Sequence, residues 1–92
     1  MKKIIINHNK NYNTYELNVY NYFEMLAIYN ARELNKRIIN YILKYNLNFI
    51  ILNFQEIPIK RNSNLSEFLS IIELFIYFDI SLMSIKISFV KN

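Results

Sequence analysis

The sequence predicts an α/β fold, with elements in the order β-β-α-β-α-β, and three observations carry that prediction. The run Phe49-Ile50-Ile51-Leu52-Asn53-Phe54 is apolar on both faces of any strand it forms, which places it in the middle of a sheet with cover above and below. Asn30-Ala31-Arg32-Glu33 has the form of a capping box, and apolar residues recur at helical spacing behind it. After a first hairpin, strands and helices alternate. That alternation implies parallel pairing through right-handed crossovers and a mixed four-stranded sheet with flanking helices.

Taken in order, Lys3 to Asn7 reads as a short strand and Asn7 to Asn13 as an Asn-rich turn. Thr14 to Tyr20 alternates, with Tyr15, Leu17 and Val19 on one side and Glu16 and Asn18 on the other, as a half-buried strand paired antiparallel with the first. Asn21 to Tyr29 reads either as a short helical turn or as a connecting loop. The first long helix starts at the Asn30 cap, with Tyr29 and Leu34 placed for a hydrophobic staple. Its apolar face is Ala31, Leu34, Ile38, Tyr41, Ile42 and Tyr45, and Glu33 can pair with Arg37 one turn on.

Asn46 to Asn48 ends this helix and feeds the apolar strand. Pro58 either ends regular pairing or marks an edge. Asn64-Leu65-Ser66-Glu67 is a second cap pattern, opening a helix from about Leu65 to Phe78. Its stripe is Leu65, Phe68, Leu69, Ile72, Phe75 and Ile76. Leu74, Tyr77 and Phe78 extend the apolar surface almost all round, so the helix is expected to be buried on several sides or to meet a partner. Asp79 to Ser84 turns, and Ile85 to Val90 is the last strand, with Ile85, Ile87 and Phe89 on one face.

Ninety-two residues are expected to form one small α/β domain, 1–92. Hydrophobic residues at 53% against charged residues at 20% exclude a disordered composition. The chain has no glycine, which excludes phosphate-cradling loops and dinucleotide turns and leaves positive-φ positions to asparagine. It has no cysteine, hence no disulfide, thiolate nucleophile or Cys-bound zinc. His8 is the one histidine and reads as a surface residue. The seven carboxylates show no catalytic spacing, so the chain is expected not to be an enzyme and to need no cofactor or metal.

The net charge of +4 is spread along the chain apart from Lys2-Lys3 and Lys60-Arg61, which suits a solvated surface better than a nucleic-acid face. Asn7-His8-Asn9-Lys10 stops the amino-terminal apolar run too early for a signal peptide. Glu73, Asp79 and Lys86 interrupt Phe68 to Val90 as a membrane span. A soluble cytoplasmic protein is expected.

This order and spacing resemble the STAS domain of bacterial anti-sigma factor antagonists. Thr14-Tyr15-Glu16-Leu17-Asn18-Val19 is similar to the family's second strand, Ala31 to Leu43 to its first helix, and Asn48 to Ile57 to its central strand. Arg61-Asn62-Ser63-Asn64-Leu65 falls where the family carries D-S-S-G-L with its phosphorylatable serine, and Ser63 matches that serine. Of the five positions, Ser63 and Leu65 agree, while Arg61, Asn62 and Asn64 depart. The family also carries a further helix after the last strand, with no counterpart in this sequence.

The resemblance implies a non-catalytic, regulatory protein–protein interaction module. Its site residues would be Ser63, Arg61, Asn62, Asn64 and Lys60, where the carboxyl end of the central strand meets the second long helix. There Ser63 would cap the helix, or would carry a phosphate that Lys60 and Arg61 hold. The alternative is a small basic nucleic-acid-binding or inhibitor protein from a mobile element, using Lys60, Arg61, Lys2, Lys3 and the tyrosines. Partners are therefore a protein or a second copy through the apolar second helix, with nucleic acid as the other class and no membrane.

Overall fold

A computed structural model describes residues 4–26, 28–58 and 66–90. The amino-terminal hairpin pairs β1 (Ile4–Asn9) with β2 (Thr14–Tyr20) antiparallel, Ile4 opposite Val19 and His8 opposite Tyr15. Its turn is built by asparagine. The Asn9 side-chain oxygen accepts from the backbone N–H groups of Asn11 (3.0 Å) and Tyr12 (3.4 Å), and Asn13 takes the left-handed conformation at φ 49. His8 is exposed and stacks on Tyr15 at 4.3 Å.

The chain then forms the short helix α1 (Tyr22–Met25), resolving the ambiguity of that segment, and α2 (Ala31–Lys44). Asn30 caps α2 as expected: its side-chain oxygen accepts from the Glu33 N–H at 2.8 Å. The other end closes with Asn46 left-handed (φ 51), the Leu47 N–H on the Ile42 carbonyl and the Asn46 N–H on the Leu43 carbonyl. That is a Schellman ending with asparagine in the place of glycine.

β3 (Ile50–Pro58), α3 (Ser66–Tyr77) and β4 (Leu82–Val90) complete the fold. α3 ends as α2 does, with Asp79 left-handed (φ 54) and the Ile80 N–H on the Phe75 carbonyl. Among the described residues asparagine thus takes three positive-φ positions, at 13, 21 and 46, and Phe49, Glu56 and Asp79 take three more. Phe49 is not in the strand and is 48% exposed; β3 starts one residue later. β4 starts earlier than expected, because Leu82 already pairs with Ile50.

The sheet order is β1-β2-β3-β4, with β2, β3 and β4 parallel. Both crossovers step the same way across the sheet, so two right-handed connections put α2 and α3 on the same face. The core agrees. Leu17, Val19, Ile50, Leu52, Phe54 and Ile57 lie in one cluster with Tyr22 of α1, with Leu34, Ile38, Ile39 and Ile42 of α2, and with Ile71 and Phe75 of α3.

Cover above and below β3 is therefore corrected: among the described residues, helices cover one face only. The opposite face is closed by side-chain hydrogen bonds between strands. Gln55 donates to Asn18 at 2.8 Å, and Ser88 donates to Asn53 at 3.0 Å. Those bonds satisfy two asparagines that neighbouring side chains bury.

The faces of both long helices also need correction. α2 buries Asn35 and Ile39 beside Leu34, Ile38 and Ile42. Tyr41 is half-buried and Tyr45 half-exposed, at the margin where a phenol keeps its hydroxyl in water. α3 buries Ile71 and Phe75, leaving Leu69 58% and Ile76 74% exposed.

Candidate functional site at the carboxyl edge of the sheet

In a parallel sheet the loops that leave the carboxyl ends of the strands are the usual place for a site. Here β2 ends at Tyr20 and β3 at Pro58, and the first turns of α2 and α3 follow from that edge. Lys60, Arg61, Asn62, Ser63 and Asn64, the residues singled out by sequence, lie outside the described residues, as do Ile59 and Leu65. Their flanks are described: Pro58 is the last residue of β3, opposite Val90, and Ser66 is the first of α3.

Two devices shape the edge. Asn21 turns the chain out of β2 in the left-handed conformation (φ 57, ψ 36) and delivers Tyr22 into the core, fully buried and edge-on to Phe54 at 4.8 Å. The Tyr22 hydroxyl donates to the Asn35 side-chain oxygen at 2.7 Å, and the Asn35 amide donates to the Ser70 hydroxyl at 2.6 Å. One polar chain, buried at Tyr22 and Asn35 and part-buried at Ser70, thus ties α1, α2 and the first half of α3 together. Low local dielectric makes such bonds strong and their loss costly.

The second device is a bulge in β3. Phe54 pairs with Ile87 and Ile57 with Phe89, so Gln55 and Glu56 together face one residue of β4. Glu56 is left-handed at φ 58, an uncommon conformation for a residue with a β-carbon. The extra residue resets the strand's alternation, which returns Ile57 to the core at 2% exposure. Between these devices lies a cleft of about 40 Å³ lined by Asn21, Tyr22, Phe23, Glu24, Glu56 and Pro58. It is large enough for a water or two and far too small for a metabolite.

Sequence reasoning missed Tyr22, Asn35, Ser70 and Glu56. A signal existed for Asn35, a polar residue inside the apolar stripe between Ala31, Leu34, Ile38 and Ile39. None existed for the bulge.

Two of the larger open grooves among the described residues lie elsewhere. One, of about 430 Å³, runs between Ile4 of β1 and Tyr29, Arg37, Tyr41 and Lys44. Arg37 is already engaged there, 4.2 Å over the Tyr29 ring and 3.4 Å from Glu33. The other, of about 480 Å³, lies along the hairpin from Asn7 to Asn11 and reaches Glu16 and Ile51. Among the described residues no group of three or more His, Cys, Asp or Glu side chains could hold a metal ion. No helix among them is long and apolar enough to cross a membrane.

No protein-family model, curated protein or solved structure matches this chain. The geometry of the edge therefore stands on its own. Among the described residues it is a rim at which α1, the first half of α2 and the first half of α3 are joined by side-chain hydrogen bonds.

Proposed function

We propose that the chain is a non-catalytic regulatory module, similar to the STAS-like anti-sigma factor antagonists, whose protein partner docks on the carboxyl edge of the sheet. The observation that carries this reading is the Tyr22–Asn35–Ser70 chain, which holds α1, α2 and α3 in one fixed relation beside the β3–α3 connection. A rim held that rigidly meets a partner with little further ordering of its own, which favours recognition. Ser63, Asn62 and Asn64 belong to that connection, with Lys60 and Arg61 beside them to hold a phosphate on Ser63 by charge-assisted bonds.

The test starts from a partner isolated from the native source and purified. Its affinity is then measured for the wild-type chain and for Ser63→Asp. An added negative charge at the docking rim is expected to weaken binding by about tenfold, roughly 1.4 kcal/mol, with thermal stability unchanged because Asp caps a helix as well as Ser. Equal affinities would remove Ser63 as a switch. Equal affinity of a Glu56→Ala, Ser63→Asp double variant would remove the rim as the docking surface.

A further inference from the structure

We propose that two copies of this chain associate through β4, paired antiparallel about Ile87, with the outer flanks of the two α3 helices packed across the same two-fold axis. This inference uses a different edge from the docking rim and does not depend on it.

β4 is the last strand of the sheet, and among the described residues no other strand faces the outer side of its backbone. Edge strands are normally blunted by brevity, proline or charge. β4 is nine residues long, has no proline, and carries Lys86 as its one charge. Its register against β3 shifts twice, at the start, where Met83 is passed over between the pairs Ile50–Leu82 and Ile51–Ser84, and opposite Ser88, where the extra residue belongs to β3. Ser84 to Val90 is then continuous, and Ile87 is its midpoint.

The register follows from charge and side-chain match. Centred on Ile87, an antiparallel pair sets Ile87 against Ile87, Ile85 against Phe89 and Lys86 against Ser88, each side chain on the same face as its opposite. Centred on Lys86, two ammonium groups would stand directly opposite, which is unfavourable. Centred on Ile85, the irregular Met83 would be forced into the paired stretch, opposite Ile87.

α3 supplies the second layer. Ser70 faces α2 through its bond with Asn35. At 3.6 residues per turn, Ile72 and Ile76 fall on the opposite side of the helix, towards the β4 margin, with Leu69 beside them. Leu69 is 58% exposed, Ile76 74% and, on β4, Phe89 57%. These three leave on the order of 300 Å² of surface bare, within the range of the largest apolar patch on an ordinary monomer, a patch that is often functional. Adding the two paired backbone edges brings the contact towards the ~800 Å² per partner of a standard interface. A two-fold pairing covers the same patch on both copies at once, as a closed isologous contact requires.

The test is light scattering on the full chain at roughly 100 µM, where mass action favours association. The expected mass is twice the 11.2 kDa of the chain. Ile76→Lys and Phe89→Lys change exposed positions, and each is expected to weaken the dimer at least about tenfold while the circular dichroism of the fold is kept. The chain has no cysteine, so one introduced thiol reports register cleanly. Ile87→Cys is expected to form a disulfide-linked dimer on oxidation, and Lys86→Cys is not. A monomer at that concentration, a dimer indifferent to both lysine variants, or cross-linking through position 86 in preference to 87 would each overturn the proposal.

Discussion

The two long helices share a sheet face and a closing motif, yet they divide their surfaces differently. α2 turns Leu34, Ile38, Ile39 and Ile42 to the core and presents Arg32, Glu33, Lys36, Arg37, Asn40 and Lys44 to water. α3 turns Ile71 and Phe75 to the core and presents Leu69, Ile76 and Tyr77 to water beside the charge of Glu73. α2 is written for one neighbour and solvent. α3 leaves apolar side chains uncovered beyond the face it packs. Apolar periodicity locates both helices, but it identifies the buried face only where the remaining faces are polar.

The largest test of that contrast sets adjacent residues of α3 against each other. Phe75 is 1% exposed and Ile76 is 74% exposed. Phe75→Ala is expected to cost about 3–5 kcal/mol by lost transfer energy and a residual cavity. Ile76→Ala is expected to stay within about 0.5 kcal/mol in urea unfolding at low micromolar concentration, where association contributes little. Comparable losses at the two positions would break the contrast and place Ile76 in the core.

Much of the fold is legible in the sequence, and the reasons differ by element. β2 is bounded at Thr14 and Tyr20 because alternation and turn asparagines mark both ends. α2 starts where Asn30 and Glu33 place it, because a capping box is a local signal. The parallel sheet follows from element order alone. Three things are not legible. The open face of β3 reads as buried because Ile51 is apolar, yet the strand's far side is closed by Asn18, Asn53, Gln55 and Ser88 bonding one another. The orientation of α3 is hidden because Leu69, Ile72 and Ile76 match Ile71 and Phe75 in hydrophobicity. The β3 bulge at Glu56 leaves no trace in composition, since any residue type is counted in the same alternation. Of the candidate site, the carboxyl edge is predicted by topology, while its clamp depends on Asn35 meeting Tyr22 and Ser70, 13 and 35 residues away.

That clamp gives the next largest effect and sharpens what joins the two helices. Asn35→Ala removes the acceptor of the Tyr22 hydroxyl and the donor to Ser70 from a fully buried site. A loss of about 1–3 kcal/mol is expected. Asn35→Asp keeps the shape and adds pH dependence. Burial disfavours the carboxylate, so the folded-state pKa of the new group lies above its unfolded value of about 3.9. The destabilisation is then absent below the unfolded pKa, where both states are protonated. It grows as pH rises above that value and is complete once the folded state also ionises. Urea midpoints of this variant at pH 4 and pH 7 test the sign. A variant more stable at pH 7 than at pH 4, relative to wild type, would mean that position 35 is reached by water.

The smallest effect concerns the solvent side of α2, the feature that most separates it from α3. Glu33 and Arg37 are 3.4 Å apart, one turn from each other, with both side chains about half exposed at 52% and 55%. Such a pair contributes about 0.3–0.5 kcal/mol. Arg37 has a second contact that Glu33 lacks, its guanidinium 4.2 Å over the Tyr29 ring, worth about 0.5–1 kcal/mol at an exposed site. The two contacts respond differently to salt, because at about 1 M the Debye length falls to roughly 3 Å and the exposed ion pair is screened. The planar contact also rests on ring–guanidinium packing, which salt leaves in place. Arg37→Gln is therefore expected to destabilise more than Glu33→Gln at low salt. At high salt the Glu33→Gln loss vanishes, and the greater part of the Arg37→Gln loss remains. A double-mutant cycle at the two salt concentrations separates the terms: the coupling energy belongs to the ion pair, and the salt-resistant remainder to Tyr29. If both single losses disappeared together in salt, the Arg37–Tyr29 contact would carry no stability, and the polar face of α2 would be as bare of fixed contacts as the exposed flank of α3.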